Sequence, residues 1–117
     1  MTDSSSRVLV FLTQSALSGQ TLYEAIAAIM VMATYGQVVQ VAFCQDAIDS
    51  LNAQATDQAH GQQPFKSVQA MIESFEFYDL LPVWVCAERL PNRPIVDCIC
   101  MPMHQINTQQ FKAVLTW

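Results

Sequence analysis

The chain has 117 residues, of which 52% are hydrophobic and only 13% are charged, and its formal net charge is −5. This length fits one domain over residues 1–117, with residues 1–6 expected as a flexible N-terminal tail. The acidic charge and the five scattered basic residues argue against direct binding of nucleic acid, which requires clustered Lys and Arg. The longest all-apolar stretch, Ala25 to Ala33, is too short to cross a membrane.

The N-terminus and the cysteines point to one cellular compartment. The first residues lack the positive segment of a secretory signal, so the sequence predicts a cytoplasmic protein. The four cysteines lie in or beside apolar runs, which predicts reduced thiols rather than a disulfide framework. The absence of Cys-x-x-Cys excludes thioredoxin-type dithiol exchange.

The first half of the chain alternates strand and helix. A continuous apolar run predicts a buried strand over Arg7 to Thr13, and a second strand is predicted over Val38 to Phe43. Between them we expect a helix from about Gly19 to Tyr35, ended by Gly36 in a left-handed conformation. A short helix from about Gln45 to Asn52 follows the second strand.

The first helix is apolar almost all round. Leu22, Ile26, Ile29 and Ala33 form one stripe at helical spacing, and residues 30–32 extend the apolar surface around the helix. Such a helix must be covered by its own sheet on one side and by another part of the protein on the other side. We therefore expect a subunit interface on its outer side. The alternative is a helix buried under loops of its own chain.

The second half completes an α/β pattern. The segment Ala53 to Gln63 is predicted to be a polar surface loop, and Pro64 is expected to open a helix that ends near Phe77. Three further strands are predicted at Val83 to Cys86, Ile95 to Met101 and Ala113 to Trp117, with a polar turn or brief helix near residues 107–111. The predicted fold is a three-layer α/β/α domain with a mostly parallel five-stranded sheet and helices on both faces. The order of the strands is not readable from the sequence.

Cys86 is the candidate catalytic residue. It ends the apolar run Val83 to Cys86, so its thiol is expected at the carboxyl edge of the sheet, where ligands collect in α/β folds. Backbone N–H groups of the following turn, together with Arg89 or Arg93, would lower its pKa and favour the thiolate that accepts sulfur, whereas Glu88 opposes this. The alternative is a buried cysteine that packs as a small hydrophobic side chain.

The remaining candidates are weaker. Cys44 ends the second predicted strand and would neighbour Cys86 in space, although packing at the strand end is the simpler interpretation. Cys98, Cys100 and His104 suggest a metal site but lack a fourth ligand, so no metal is predicted. His60 is expected to be solvated. The glycine patterns that bind phosphates are absent, and no cofactor is predicted.

Three segments stand out by their order and spacing: Gly19 to Ala25, Tyr35 to Phe43, and Ser74 to Asp79 leading into Val83 to Leu90. Together they resemble the DsrE/DsrF/DsrH family of sulfur-relay proteins, most closely its TusC/DsrF branch, over about Val8 to Leu90. In that family the reactive cysteine of the DsrE/TusD subunit is matched here by Cys86. The chain departs from the family pattern in the loops around Cys44 and after Leu90.

The resemblance implies a subunit of a cytoplasmic sulfur-relay complex, with Cys86 as the expected persulfide carrier of a sulfurtransferase. Its partners would be DsrE/TusD-like and DsrH/TusB-like subunits in a hetero-oligomer, or further copies of itself, and a sulfur-acceptor protein. The sulfur would serve 2-thiouridine of tRNA or dissimilatory sulfur oxidation. Two alternatives remain open: a non-catalytic structural subunit, and a stand-alone α/β regulatory or ligand-binding homo-oligomer.

Overall fold

Five parallel strands form one sheet. The computed structural model describes residues 6–17, 19–53 and 63–117, without the side chains of residues 63–67. The strands lie in the order β4-β3-β2-β1-β5, and every pairing is parallel. Their bounds are β1 Arg7–Leu12, β2 Val38–Phe43, β3 Val83–Val85, β4 Cys98–Cys100 and β5 Ala113–Thr116. The predicted α/β fold with a five-stranded parallel sheet is confirmed.

Strand β1 lies inside the sheet, between β2 and β5. Its residues from Val8 to Leu12 are all buried, which accounts for the unbroken apolar run. Successive side chains point to opposite faces, so Val8 and Val10 pack on one face while Leu9 and Phe11 pack on the other.

Both α-helices cover the same face of the sheet. Helix α1, Thr21–Thr34, and helix α2, Gln63–Glu73, contribute to one large core together with alternate residues of β1, β2 and β3. The α1 side chains that are fully buried recur at helical spacing: Leu22, Ala25, Ile26 and Ile29. The predicted stripe is therefore present, with Ala33 only partly buried at its end.

The ends of the helices follow local backbone rules. Gly36 has φ +90° and donates its N–H to the Ala33 carbonyl at 3.0 Å, which confirms the predicted glycine stop. After α2 the chain continues as the 3₁₀ helix Ser74–Tyr78, so the predicted helix to about Phe77 is present in two parts. The short helix predicted after β2 is the 3₁₀ helix Gln45–Leu51. Most of the polar loop predicted at 53–63 lies outside the described residues.

The second face is covered by the connection between β4 and β5, residues 101–112, rather than by an α-helix. It contains the 3₁₀ helices Met103–Gln105 and Thr108–Gln110, so this layer of the predicted fold is built from short 3₁₀ helices in an otherwise extended segment. The reason is geometric. Strands β4 and β5 are at opposite edges, about 19 Å apart, and the chain must also return to the amino edge. Twelve helical residues span only about 18 Å, so the segment has to be more extended.

Phe111 fixes this covering segment to the sheet. Its ring meets the Trp84 ring edge-on, with centroids 6.0 Å apart, and the Arg7 guanidinium lies 4.9 Å from its centroid. Arg7 also donates a 3.1 Å hydrogen bond to the Gln40 side-chain oxygen, and the Gln40 amide donates to the Pro82 carbonyl at 3.1 Å. The covering segment is thus attached near the amino edge of the sheet.

Strand β4 is shorter than the predicted Ile95 to Met101. The first residues of the predicted strand form contacts outside the sheet: the Ile95 N–H donates to the Leu51 carbonyl at 2.9 Å. Pro94 forms an isolated antiparallel bridge with Asn52. Pairing with β3 therefore begins only at Cys98.

In the described ranges, no helix is both long enough and apolar enough to span a membrane.

Replacing Ile29 by Ala should lower the free energy of unfolding by about 2–5 kcal/mol, because the side chain is fully buried in the large core. Val31, two residues further along α1 and 55% exposed, is the matched control. Its replacement by Ala should change that free energy by no more than about 0.5 kcal/mol. Denaturant unfolding of both variants measures the difference, and equal losses would contradict the orientation of α1.

Candidate functional site

Cys44 and Cys86 lie side by side at the carboxyl edge of the sheet. Each follows the last residue of its strand, and those last residues, Phe43 and Val85, are paired in the parallel register. The backbone ladder continues through both cysteines. The Cys86 N–H donates to the Phe43 carbonyl at 3.0 Å, and the Cys44 N–H donates to the Leu12 carbonyl at 2.8 Å. Cys86 is therefore at the carboxyl edge, where the sequence places it.

The two cysteine side chains share the sheet face opposite the α-helices. Both belong to the smaller apolar cluster that contains Leu9, Phe11 and Ala42. Cys44 is only 6% exposed, whereas Cys86 is half-buried at the rim of this cluster. A molecule approaching from solvent therefore reaches the Cys86 sulfur more easily than the Cys44 sulfur.

The cysteines open into a cavity of about 360 Å³. It is lined by residues at or just after the carboxyl ends of β1, β2, β3 and β5, and by Met103 from the covering segment. The lining residues are Phe11, Thr13, Cys44, Gln45, Cys86, Met103 and Thr116. Its volume lies at the lower end of the range for small-molecule sites. The Thr13 hydroxyl donates to the Trp117 carbonyl at 2.7 Å, which ties β1 to the end of β5 beside the cavity.

A hydrogen bond between the two thiols couples their ionisation. The Cys86 S–H stabilises a thiolate on Cys44 and so lowers the pKa of Cys44, although burial acts in the opposite direction. The same hydrogen bond raises the pKa of Cys86 far above its usual range, and burial and the negative charge of Cys44 add to this. The pKa of Cys44 is therefore lowered and the pKa of Cys86 is raised, so the pair loses its two protons in two well-separated steps.

The expectation that Arg89 or Arg93 lowers the pKa of Cys86 is wrong in direction. That pKa is raised, and the groups responsible are Cys44 and the surrounding burial. Both arginines are exposed. The Arg93 backbone N–H donates to the Asn52 side-chain oxygen at 2.9 Å, so this part of the loop is attached to the segment after the first 3₁₀ helix. The surroundings of Cys86 therefore favour its protonated thiol, and neither arginine offsets this.

Gln45 directly follows Cys44 with φ +53°, a left-handed conformation that is uncommon for residues other than glycine. This residue lines the cavity and begins the 3₁₀ helix Gln45–Leu51. The turn ends β2 abruptly after Cys44, so the chain leaves the sheet and does not cover the cysteine pair. Unfavourable backbone conformations of this kind cluster at functional sites.

The other candidate residues lie elsewhere. Cys98 and Cys100 share one face of β4, as predicted, but Cys98 packs against the core on the helix side of the sheet. Burial and the nearby charges of Asp97 and Cys100 raise the pKa of Cys98. His104 is exposed in the covering segment. Among residues 6–17, 19–53 and 63–117, no three His, Cys, Asp or Glu side chains come together as metal ligands. His60 lies outside these ranges.

Sequence reasoning identified both cysteines but preferred packing as the role of Cys44, and it did not consider Thr13, Met103 or Thr116. The signal that could have identified three of these cavity residues is their position at the ends of the predicted strands. Thr13 and Cys44 directly follow apolar strands, and Thr116 ends one, so a parallel sheet brings all three to one edge. Met103 comes from the covering segment, whose path depends on the strand order.

The coupling of the thiols gives a testable pH dependence. In a Cys86→Ala variant the pKa of Cys44 should rise, because the hydrogen bond that lowers it is gone and burial remains. In a Cys44→Ala variant the pKa of Cys86 should fall from its raised value, because the hydrogen bond and the neighbouring negative charge are both removed. Alkylation rates across a pH series, read for each cysteine by peptide mass spectrometry, measure both shifts. Unchanged profiles would show that the thiols are not coupled.

Comparison with known proteins agrees with this architecture. The family model described as the DsrE/DsrF-like family matches residues 7–113. Among solved structures, the crystal structure of the ychN protein from E. coli is similar in fold, with a TM-score of 0.70 and 14% sequence identity. The match covers 95% of this chain and 98% of that one. The curated proteins give no match. Because the family match extends over nearly the whole chain, from β1 to the start of β5, the protein belongs to the DsrE/DsrF-like family.

Proposed function

We propose that this protein is a sulfur-relay subunit in which Cys86 receives persulfide sulfur and passes it to an acceptor protein. Membership of the DsrE/DsrF-like family supports a function of the sulfur-relay type. The observation that carries the specific proposal is the position of Cys86, half-buried beside an ionisable thiol at the mouth of a 360 Å³ cavity. A carrier thiol needs these three conditions: access for a donor, a group that takes its proton, and shelter for the product.

The proton transfer is supplied by Cys44. Cys86 is a thiol and must lose its proton to attack the terminal sulfur of a donor persulfide. Cys44 is the group hydrogen-bonded to Cys86, and its pKa is lowered by that contact, so its thiolate form is the base that takes the proton as the bond to sulfur forms. The donor sulfur–sulfur bond breaks, its electron pair leaves with the donor cysteine as a thiolate, and Cys86 becomes a persulfide. Attack by an acceptor thiolate on the outer sulfur then regenerates the Cys86 thiolate, which recovers a proton.

The cavity suits a transient persulfide. The added sulfur atom is small relative to 360 Å³, and Phe11 and Met103 supply apolar walls. Cys86 is half-buried, so part of its surface stays open to a donor or an acceptor while the cavity shelters the rest.

The proposal also covers the branch of the family to which the chain belongs and the proteins with which it assembles. The resemblance to the TusC/DsrF branch favours assembly with DsrE/TusD-like and DsrH/TusB-like subunits in the cytoplasm, with sulfur directed to tRNA 2-thiouridine or to sulfur oxidation. Tyr23, Val31 and Tyr35 leave apolar surface exposed on and just after α1, which supports a subunit contact there. The net charge of −5 favours delivery to an acceptor protein over direct contact with tRNA.

A second candidate function is a structural subunit that positions a sulfur-carrying partner. The raised pKa of Cys86 favours it, because a thiol that keeps its proton is a poor nucleophile. The two functions differ in one measurable property. Only the carrier requires sulfur to appear on Cys86 and to leave it for another thiol.

Incubation with a persulfide donor should add one sulfur atom to the wild-type protein, detected by intact mass within seconds of mixing. A Cys86→Ser variant should not gain this sulfur, because the attacking thiol is absent. Cys100→Ser is the matched control, since Cys100 is also half-buried but lies on β4 away from the cavity. It should load like the wild type. Loading that persists in Cys86→Ser would contradict the carrier function.

The structural alternative has its own readout. Co-expression with candidate partner subunits, followed by purification through a tag on this chain, measures assembly in the wild type and in Cys86→Ser. Full relay activity of an assembled complex that contains Cys86→Ser would establish the structural function and exclude the carrier function.

A further inference from the structure

We propose that Cys44 is a resolving thiol: it attacks a sulfur adduct on Cys86, closes a Cys44–Cys86 disulfide and releases the outer sulfur. The adduct is a persulfide if the proposed function holds, and the inference rests on that function for the physiological source of sulfur. The proximity of Cys44 and Cys86 is a property of the fold, so the resolving reaction can also be tested with a simple disulfide as the reagent. Cys44 is then a reactive residue in its own right rather than a packing residue at a strand end.

The register makes the disulfide accessible. Adjacent strands in a sheet are about 4.8 Å apart, and the cysteines directly follow the paired residues Phe43 and Val85. Disulfides join residues whose Cα atoms are about 4.4–6.8 Å apart, so the pair fits this window without a movement of the strands. Both side chains are in the same apolar cluster and line the same cavity. Rotation of the side chains is enough to bring the sulfur atoms together.

The difference in burial assigns the two roles. Cys44 is 6% exposed and lies behind the more accessible Cys86, so a donor molecule reaches Cys86 first. Cys44 is within hydrogen-bonding reach of Cys86 and lines the same cavity, so its sulfur is the protein thiol placed to attack an adduct there. A buried nucleophile beside an accessible sulfur reacts with what its neighbour carries rather than with solutes.

The reaction balances without a further oxidant. Cys44 first releases to solvent the proton that it took during loading. Its thiolate then attacks the Cys86 Sγ, the bond between that Sγ and the outer sulfur breaks, and the electron pair leaves with the outer sulfur. Starting from the persulfide, the outer sulfur leaves as hydrosulfide. Both cysteine sulfurs are oxidised to the disulfide level while the sulfane sulfur is reduced to sulfide. Starting from a glutathione mixed disulfide, the leaving group is the glutathione thiolate.

A consequence follows for the relay. When an acceptor is docked, its thiol takes the outer sulfur before Cys44 reacts. Without an acceptor, closure of the disulfide discharges the loaded site and blocks a second loading until a reductant reopens it. The pair thus limits how long an undelivered persulfide persists.

The experiment compares the wild type with Cys44→Ala and Cys44→Ser, treated separately with glutathione persulfide and with glutathione disulfide. Samples are alkylated at intervals and read by intact mass and by peptide mapping, and released hydrosulfide is measured in the first arm. The wild type should form the Cys44–Cys86 disulfide in both arms. Both Cys44 variants should still load, because removal of Cys44 lowers the pKa of Cys86 and solvent can then take its proton. They should retain the adduct on Cys86 with a lifetime at least about tenfold longer. Cys100→Ser should behave like the wild type, and circular dichroism checks that each variant is folded.

The outcomes separate this inference from the proposed function. Sulfur on Cys86 that persists equally in the wild type and in the Cys44 variants overturns the resolving role and leaves the carrier function standing. If glutathione persulfide adds no sulfur to any protein, the carrier function fails and the glutathione disulfide arm decides: a Cys44–Cys86 disulfide there supports the pair. Absence of that disulfide in both arms overturns the inference.

Discussion

The candidate site depends on one backbone pairing, the parallel register between β2 and β3. It sets Phe43 opposite Val85 and therefore places the next residue of each strand, Cys44 and Cys86, beside each other. A shift of one residue in this register would turn one of the two thiols to the opposite face of the sheet, away from its partner. The thiol hydrogen bond, the opposite pKa shifts and the shared cavity all follow from this alignment.

The register is itself held by burial on both faces. Val41, Phe43, Val83 and Val85 point toward the helices and are fully or almost fully enclosed, while Ala42 and Trp84 point to the other face. Because each strand has packed side chains in both directions, a slip would expose apolar residues and bury the wrong ones. The alignment of the two cysteines at the edge is thus a result of packing in the middle of the sheet.

The sequence predicts local elements well because their determinants are local. The apolar runs of β1 and β2, the stripe of α1 and the glycine at position 36 each contain the physical reason for their conformation. The length of β4 was not predictable, because Ile95 and Pro94 take partners near residues 51 and 52 that only the tertiary structure brings close. The absence of an α-helix on the second face follows from the strand order, which places β4 and β5 at opposite edges. The pairing of Cys44 with Cys86 has the same origin: both strand ends are visible in the sequence, but their adjacency is not.

The attachment of the covering segment has a mechanical consequence. Phe111 contacts Trp84 and the Arg7 guanidinium and so attaches the covering segment near the amino edge of the sheet. Met103, near the other end of the segment, is 56% exposed. The covering segment is therefore anchored through a side chain at the end remote from the sulfur atoms, while at the end beside them the Met103 side chain is largely solvated. Rotation of the Met103 side chain would widen the cavity beside the cysteines and leave the contacts of Phe111 unchanged.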